Sequence, residues 1–550
     1  MDHDRKKRIF FRPETRRDFV HGLCTGLLLW LPPVLWALFV LPACERSNAP
    51  SVVIDSITPN AASARGGTLV TIKGKGFKPG ATVWFDETVG HATTVLSDTE
   101  LTVRSPNLPA GPLAVCVENP DGGRAVLENG FSTLALDLAF DFAPAQYLPE
   151  LPEASINRVQ AVDLDRDGDP DLAMATTTGA QILVNTGTGL FTRVDTGDPT
   201  ANGVSTLPHW SGDSRDLVRT RLSSSTAQDA SAAADLVVCR FDGPALLFAQ
   251  RPAADATGYE NPVELAHSSR CLKIEAADLN LDGLTDLIMA RATADATETV
   301  CLHFFLRTET PLSAPDAPFV PTTATRDGSP LCFDTVADFA VGDVDGQGGP
   351  DLIVSARRAD DAVRLRLFLL DLQASAQRPN DPALPADSVT PWLVSTHPET
   401  LPGATSPAAS LLLTDLDGDR DHDLYLIAPE QDRLLINDGF GHFFDSTFAA
   451  LPIDRADGQS AASADLDLDG NPDLIIANQP SRNRLYLNRG NGTFEDHTPL
   501  LPVLSTDLST VRALLPVDVD LDGDYDLFVI TADFGDLQLL VSTTPGGREP

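Results

Sequence analysis

Six times along the chain, acidic and amide residues recur at the spacing D-x-D-x-D-G-x-x-D, and the chemistry such a pattern can do is to capture a hard cation. The copies are Asp163, Asp165, Asp167, Asp169 and Asp171; Asp278, Asn280, Asp282, Leu284 and Asp286; and Asp343, Asp345, Gln347, Gly349 and Asp351. They continue with Asp415, Asp417, Asp419, Asp421 and Asp423; Asp465, Asp467, Asp469, Asn471 and Asp473; and Asp518, Asp520, Asp522, Asp524 and Asp526. Calcium takes about six to eight oxygen ligands, and a tight loop aims alternate side chains at one point. Positions 1, 3 and 5 would offer side-chain oxygens, position 7 a backbone carbonyl and position 9 a last carboxylate. Glycine at position 6 permits the positive φ of a sharp turn. Magnesium fits less well, because it keeps more of its waters. Without an ion the crowded carboxylates repel one another, so calcium should both neutralise and stiffen each loop. Two copies depart from the pattern: Gln347 replaces a position-5 aspartate, and Arg420 takes the glycine position.

The elements that position these loops are short strands. Each copy is followed by an apolar run, such as 172–175, 287–290 or 474–477, too short for an amphipathic helix, and no glutamate stands at position 12. Successive copies begin about 50 to 70 residues apart, the length of a four-stranded propeller blade, except for a first interval roughly twice as long. Inside that interval, residues 234–248 repeat the strand pattern while Ala227, Asp229, Ser231 and Asp235 fall on loop positions, so this unit has lost its site and the total becomes seven. A second motif recurs as Asn185, Gly187, Gly189 and Phe191, as Asn437, Gly439, Gly441 and Phe443, and as Asn488, Gly490, Gly492 and Phe494. It reads as a hairpin into the last strand of a unit. The seventh unit lacks that strand, and residues 139–148 look like it, placed ahead of the first unit. Pairing of the two would close a ring and remove exposed edges.

On these loops and hairpins, residues 136–550 resemble the FG-GAP/VCBS repeat family, the propellers of integrin α-subunit heads and of many bacterial surface proteins. The resemblance implies an all-β fold with a seven-bladed β-propeller, residues 136–149 supplying the closing strand of the last blade. It also implies structural calcium in up to six sites, and ligand contacts made by loops on one propeller face or between blades. No counterpart of the integrin inserted domain is present.

Residues 51–134 alternate polar and apolar between glycine, proline and asparagine turns, the pattern of a small β-sandwich. Ile57 to Asn60, Gly66 to Phe77 and Val83 to Phe85 resemble the immunoglobulin-like IPT/TIG family, which implies a fold and not an activity. Ahead of it, Arg5, Lys6, Lys7 and Arg8 precede Thr15 to Val20, a stretch similar to the twin-arginine export pattern. An apolar segment follows and ends at Leu41, Pro42, Ala43 and Cys44, which resembles a bacterial lipobox with Cys44 as the lipidated residue. Residues 1–43 are therefore expected to be an export signal and 44–50 a linker. A retained membrane-spanning helix is the alternative, weakened by Pro32 and Pro33 in its middle. Export implies an oxidising compartment, where the sequence-near pairs Cys239 with Cys271 and Cys301 with Cys332 are plausible disulfides and Cys116 is left free.

The formal charge of -38 argues against nucleic acid as a partner. Ten histidines are scattered, and no nucleophile motif of the G-x-S-x-G type is present. The expectation is a non-enzymatic, calcium-binding adhesion or ligand-binding scaffold in the bacterial cell envelope, held to the membrane through Cys44. Its ligand would be a protein or a glycan on the propeller face. The alternatives are a carbohydrate-active enzyme or lectin using that face, or a passive component of envelope assembly.

Overall fold

The computed structural model describes residues 52–543, apart from 145, 152–153, 195–207, 209, 222–234, 251–258, 295–298, 309–317, 323–329, 360–361, 371–392, 396–400, 403–407, 430, 455–456, 479–481, 504–510 and 532–536. The export signal, Cys44 and the loop positions Ala227, Asp229 and Ser231 lie outside the described residues. Among the described residues no helix is long and apolar enough to cross a membrane. The fold is all-β.

Alternation of side chains across a strand drives the first domain together. One sheet runs in the order Val53–Thr58, Leu69–Lys75, Glu100–Arg104, His91–Ser97, and a second in the order Ala61–Ser63, Arg124–Leu134, Gly111–Glu118, Thr82–Phe85, Thr88–Val89. Val70, Ile72, Leu101 and Val103 of the first face Val83, Phe85, Val115, Val117 and Phe131 of the second in one buried cluster. Phe85 and Phe131 meet edge to face at 5.1 Å. Cys116 is buried and free, and its sulfur accepts a hydrogen bond from Arg124 Nε at 2.8 Å.

Among the described residues, seven antiparallel sheets follow. Their first strands are Ile156–Val162, Ser214–Thr220, Cys271–Ala277, Thr335–Gly342, Ser410–Thr414, Gly458–Ala464 and Val511–Val517. Their second strands are Asp171–Thr176, Asp235–Arg240, Asp286–Ala292, Asp351–Arg357, Asp423–Ile427, Asp473–Asn478 and Asp526–Thr531. Most of the second strands are buried along their whole length, because each is covered on both faces. That double cover explains why their sequences read as unbroken apolar runs and not as alternation.

The cores lie between sheets. Separate apolar clusters join the first sheet to the second, the second to the third, and so on to the sixth and seventh. A further cluster packs the seventh against the first, with Val517, Phe528 and Leu539 on one side and Ile156, Val159, Leu172 and Met174 on the other. There Phe191 meets Phe528 edge to face at 5.5 Å. Each such leucine or phenylalanine contributes about 1.5–3 kcal/mol by leaving water. The fourth strand of the seventh sheet is Phe140–Phe142, which pairs antiparallel with Leu537–Ser542. Two disulfides reinforce one side: Cys239–Cys271 ties the second sheet to the third, and Cys301–Cys332 ties Val300–Arg307 to Leu331–Phe333 in the third.

Candidate metal centres

Every acidic loop joins the first strand of a sheet to its second. Position 1 directly follows the first strand, and position 9 opens the second, as in the register pair Val162↔Asp171. The position-9 aspartate fixes both ends of the loop. Asp171 accepts Leu164 N at 2.7 Å through Oδ2 and Asn185 N, from the third strand, at 2.9 Å through Oδ1. The same two bonds recur at Asp286, Asp351, Asp423, Asp473 and Asp526. Position 1 folds the middle of the loop: Asp465 accepts Asp469 N at 2.9 Å and Gly470 N at 3.0 Å.

This wrapping brings carboxylates together. Positions 1, 3 and 9 converge in Asp163, Asp165 and Asp171; in Asp343, Asp345 and Asp351; in Asp415, Asp417 and Asp423; in Asp465, Asp467 and Asp473; and in Asp518, Asp520 and Asp526. Within each triad one oxygen per residue lies within 4.8 Å of the others, so the donor set is all hard oxygen and suits a divalent cation such as calcium. In the loop of the third sheet, Asn280 replaces one of the three acids beside Asp278 and Asp286. The position-5 acids Asp167, Asp419, Asp469 and Asp522 and the position-7 acids Asp169, Asp421 and Asp524 are not members of the five triads.

Burial sets the electrostatics of the triads. It pushes the position-9 carboxyl up to about 7 in Asp171, Asp286, Asp423 and Asp526, to about 6 in Asp351 and to about 8 in Asp473, with neighbouring loop carboxylates adding to the rise. Burial and then an adjacent carboxylate raise Asp165 and Asp467 to about 6. A cation would reverse this, since it favours the ionised form of every group around it.

Position 6 has positive φ in all six loops, 79° at Arg420 and 83–98° at the glycines, so the departure at Arg420 keeps the turn and places a side chain in a conformation that costs it energy. Position 4 is also left-handed throughout, at Arg166, Leu281, Gly346, Gly418, Leu468 and Leu521. Sequence reasoning missed this second turn; the signal was Gly346 and Gly418 at the same position.

A further role that sequence reasoning missed belongs to the hairpin asparagines, which lock neighbouring loops together. Asn185 Nδ2 donates to Val519 O at 2.6 Å, in the loop of the seventh sheet. Asn437 Nδ2 reaches Val344 O at 2.8 Å and Asn488 Nδ2 reaches Leu416 O at 2.8 Å, each in the loop of the preceding sheet. The hairpin glycines make room for this. A Cβ on Gly187 would come within 2.6 Å of Asp169, and one on Gly492 within 2.9 Å of Asp417 in the neighbouring loop.

A second concave feature is a polar cavity of about 820 Å³, to which the first strands of all seven sheets contribute. Its charged lining is Arg158, Arg215, Lys273, Arg512, Asp216 and Asp338. The two aspartates are pins between sheets, Asp216 accepting Ile274 N at 3.0 Å and Asp338 accepting Leu411 N at 2.8 Å. Lys273 is held by Asp338 and by Phe339 O at 2.7 Å. Arg158 approaches Asp216 at 3.5 Å, and Arg512 donates to Asn157 Oδ1 at 3.0 Å.

An IPT/TIG domain matches residues 52–133, and FG-GAP-like repeats match residues 415–476 and 465–529. The chain therefore combines an immunoglobulin-like domain with FG-GAP-like repeats. No curated protein sequence matches it. Among solved structures it is similar to a lectin of Agrocybe aegerita that recognises non-reducing terminal N-acetylglucosamine, at 16% identity over 73% of this chain and 93% of that one, with a TM-score of 0.38. An auxiliary nutrient binding protein of Bacteroides ovatus is 11% identical over 90% of this chain and 98% of that one, with a TM-score of 0.31. A putative phosphatase of Bacteroides thetaiotaomicron is 11% identical over 90% and 97%, with a TM-score of 0.33. Scores this low transfer no ligand and no activity.

Proposed function

We propose that the chain is an exported, calcium-stiffened β-propeller that presents a binding face for a glycan or protein ligand on the bacterial surface and performs no catalysis. In this reading the seven sheets are blades of an integrin-α-type ring, the six acidic loops hold structural calcium, and Cys44 carries the lipid anchor. The observation that carries it is the division of labour along the first strands of the sheets. The loops hang from the ends of those strands and are consumed in tying blades together, whereas the cavity is lined mainly from their beginnings, as at Asn157, Arg215, Lys273 and Arg512. A cavity with fixed charges and convergent amides is suited to a polar ligand.

Glycan-array binding in calcium, repeated with Arg158→Ala, tests the ligand face. Binding that the substitution removes supports it; binding untouched by the substitution places the ligand elsewhere, and cleavage of the bound glycan overturns the non-enzymatic reading. Cys44→Ser should release the protein from membranes, and continued membrane retention would overturn the lipid anchor.

A further inference from the structure

The first domain, together with residue 136 just beyond it, touches the loops of the sixth and seventh sheets. Ala110 N donates to Leu468 O at 2.6 Å, Leu136 N donates to Asp467 O at 2.7 Å, and Asn107 Nδ2 donates to Gly523 O at 3.1 Å. Ala64 lies in the same apolar cluster as Leu466 and Leu468. Beside Ala64, Arg65 carries its guanidinium into the loop of the seventh sheet, where it pairs with Asp522 at 3.2 Å and with Asp524. The arginine side chain is 7% exposed and the two aspartates 8% and 1%. Its Nε and Nη2 are both buried.

Asp522 and Asp524 are positions 5 and 7 of a loop whose positions 1, 3 and 9 form one of the acidic triads. In the loops of the first, third, fourth and fifth sheets the position-5 residues Asp167, Asp282, Gln347 and Asp419 are exposed. Only in the seventh sheet, among the described residues, does an arginine from another domain pair with positions 5 and 7. A guanidinium and a divalent cation a few ångströms apart repel each other, strongly so in a site with little water.

We propose that Arg65 is a resident cation of the seventh-sheet loop, competing there with calcium, so that metal binding at this loop and docking of the first domain oppose each other. This rests on the calcium reading of the loops. Linkage makes the effect reciprocal: whatever factor the docked arginine takes from the calcium affinity, bound calcium takes from the docking equilibrium. The other five loops, which no such arginine enters among the described residues, would bind calcium independently of the first domain.

The test is a calcium titration of the exported full chain, wild type against Arg65→Ala and Arg65→Lys, by calorimetry and by hydrogen exchange. Asp518→Ala identifies the contribution of the seventh-sheet loop. In the wild type, that loop should bind at least about tenfold more weakly than in Arg65→Ala, while Arg65→Lys, which keeps the charge, should stay weak. Exchange of amides around Asn107 and Ala110 should rise as calcium is added to the wild type. Unchanged or weaker binding at this loop in Arg65→Ala, with the other loops still taking calcium, overturns the competition alone. Absence of calcium uptake by wild type and variants overturns the calcium reading as well. An unchanged thermal midpoint and circular dichroism spectrum of Arg65→Ala in chelator would exclude misfolding as the cause of any change.

Discussion

The second and sixth sheets share one plan and are held by different means. In both, the second strand opens on a fully buried aspartate that accepts an N–H from the end of the third strand or just beyond it: Asp235 from Gln250, two residues past Ala245–Phe248, at 2.7 Å, and Asp473 from Asn488 at 2.8 Å. In the sixth sheet that aspartate also completes a triad with Asp465 and Asp467. The second sheet has instead a disulfide to its neighbour, and Trp210 packed on Phe248 at 5.7 Å. The third sheet, with Asn280 and Leu284 in its loop, carries the other disulfide. Among the described residues, the two sheets without an acidic triad are thus the two that carry disulfides. The position-9 aspartate has two separable jobs, hydrogen-bonding the strands and offering a metal ligand, and the second sheet retains the first.

Chelation should separate the two regions most widely. At tenfold excess over its dissociation constant each calcium adds about 1.4 kcal/mol, and six sites roughly 8 kcal/mol. EDTA should therefore lower the thermal midpoint by roughly ten degrees or more, with hydrogen exchange rising in the sixth sheet well before the second. An unchanged midpoint sinks the calcium reading.

Removing the buried aspartate itself is the next largest change. In chelator, Asp473→Ala leaves Leu466 N and Asn488 N without their acceptor and should cost about 2–5 kcal/mol in urea unfolding. Asp235→Ala should cost a similar amount with or without calcium, whereas Asp473→Ala should cost more when calcium is present. Equal calcium dependence in the two variants would break the comparison.

Reduction should act on the other side of the molecule. Losing Cys239–Cys271 and Cys301–Cys332 costs about 2–4 kcal/mol each, and the loosened amides should map to the second and third sheets. Loosening centred on the sixth sheet would contradict the assignment.

A further effect is one of pH on the metal-free protein. The position-9 carboxyls titrate at about 6 to 8 in the fold, above the roughly 3.9 of an unfolded aspartate. The fold therefore holds extra protons in that window, and the stability they provide is complete at low pH and lost as pH rises through 6 to 8. The midpoint in EDTA should fall between pH 5.5 and 8, and excess calcium should abolish or reverse that slope. A rising midpoint in EDTA would show that these carboxyls are not raised.

The loops were legible because their acidic spacing is the one a divalent cation would need, and repetition distinguished them from ordinary acidic turns. The hairpins were legible through Asn and Gly at fixed offsets, although their role in locking adjacent loops was not, since each bond crosses to another sheet. The left-handed turn at position 4 was hidden by Leu281, Leu468 and Leu521, residue types that do not advertise such a conformation. Asp235 was assigned to a lost site, with no sign that it still fastens two strands. The polar cavity could not be read because seven distant strands each supply a few residues. Arg65 belongs to no motif at all, and only the docked domains bring it to Asp522.

One pairing has a consequence in time as well as in space. Phe140–Phe142 waits for Leu537–Ser542, and the backbone bond between Ala139 and Thr543 spans 404 residues. At a synthesis rate of about 5–20 residues per second, the earlier strand is finished roughly 20–80 s before its partner exists. During that interval the hydrogen-bonding edge that the last strand will cover is open to any other extended chain, including a second nascent copy. Keeping that strand to three residues, with an aspartate between the two phenylalanines, limits what it can pair with until the rightful neighbour arrives.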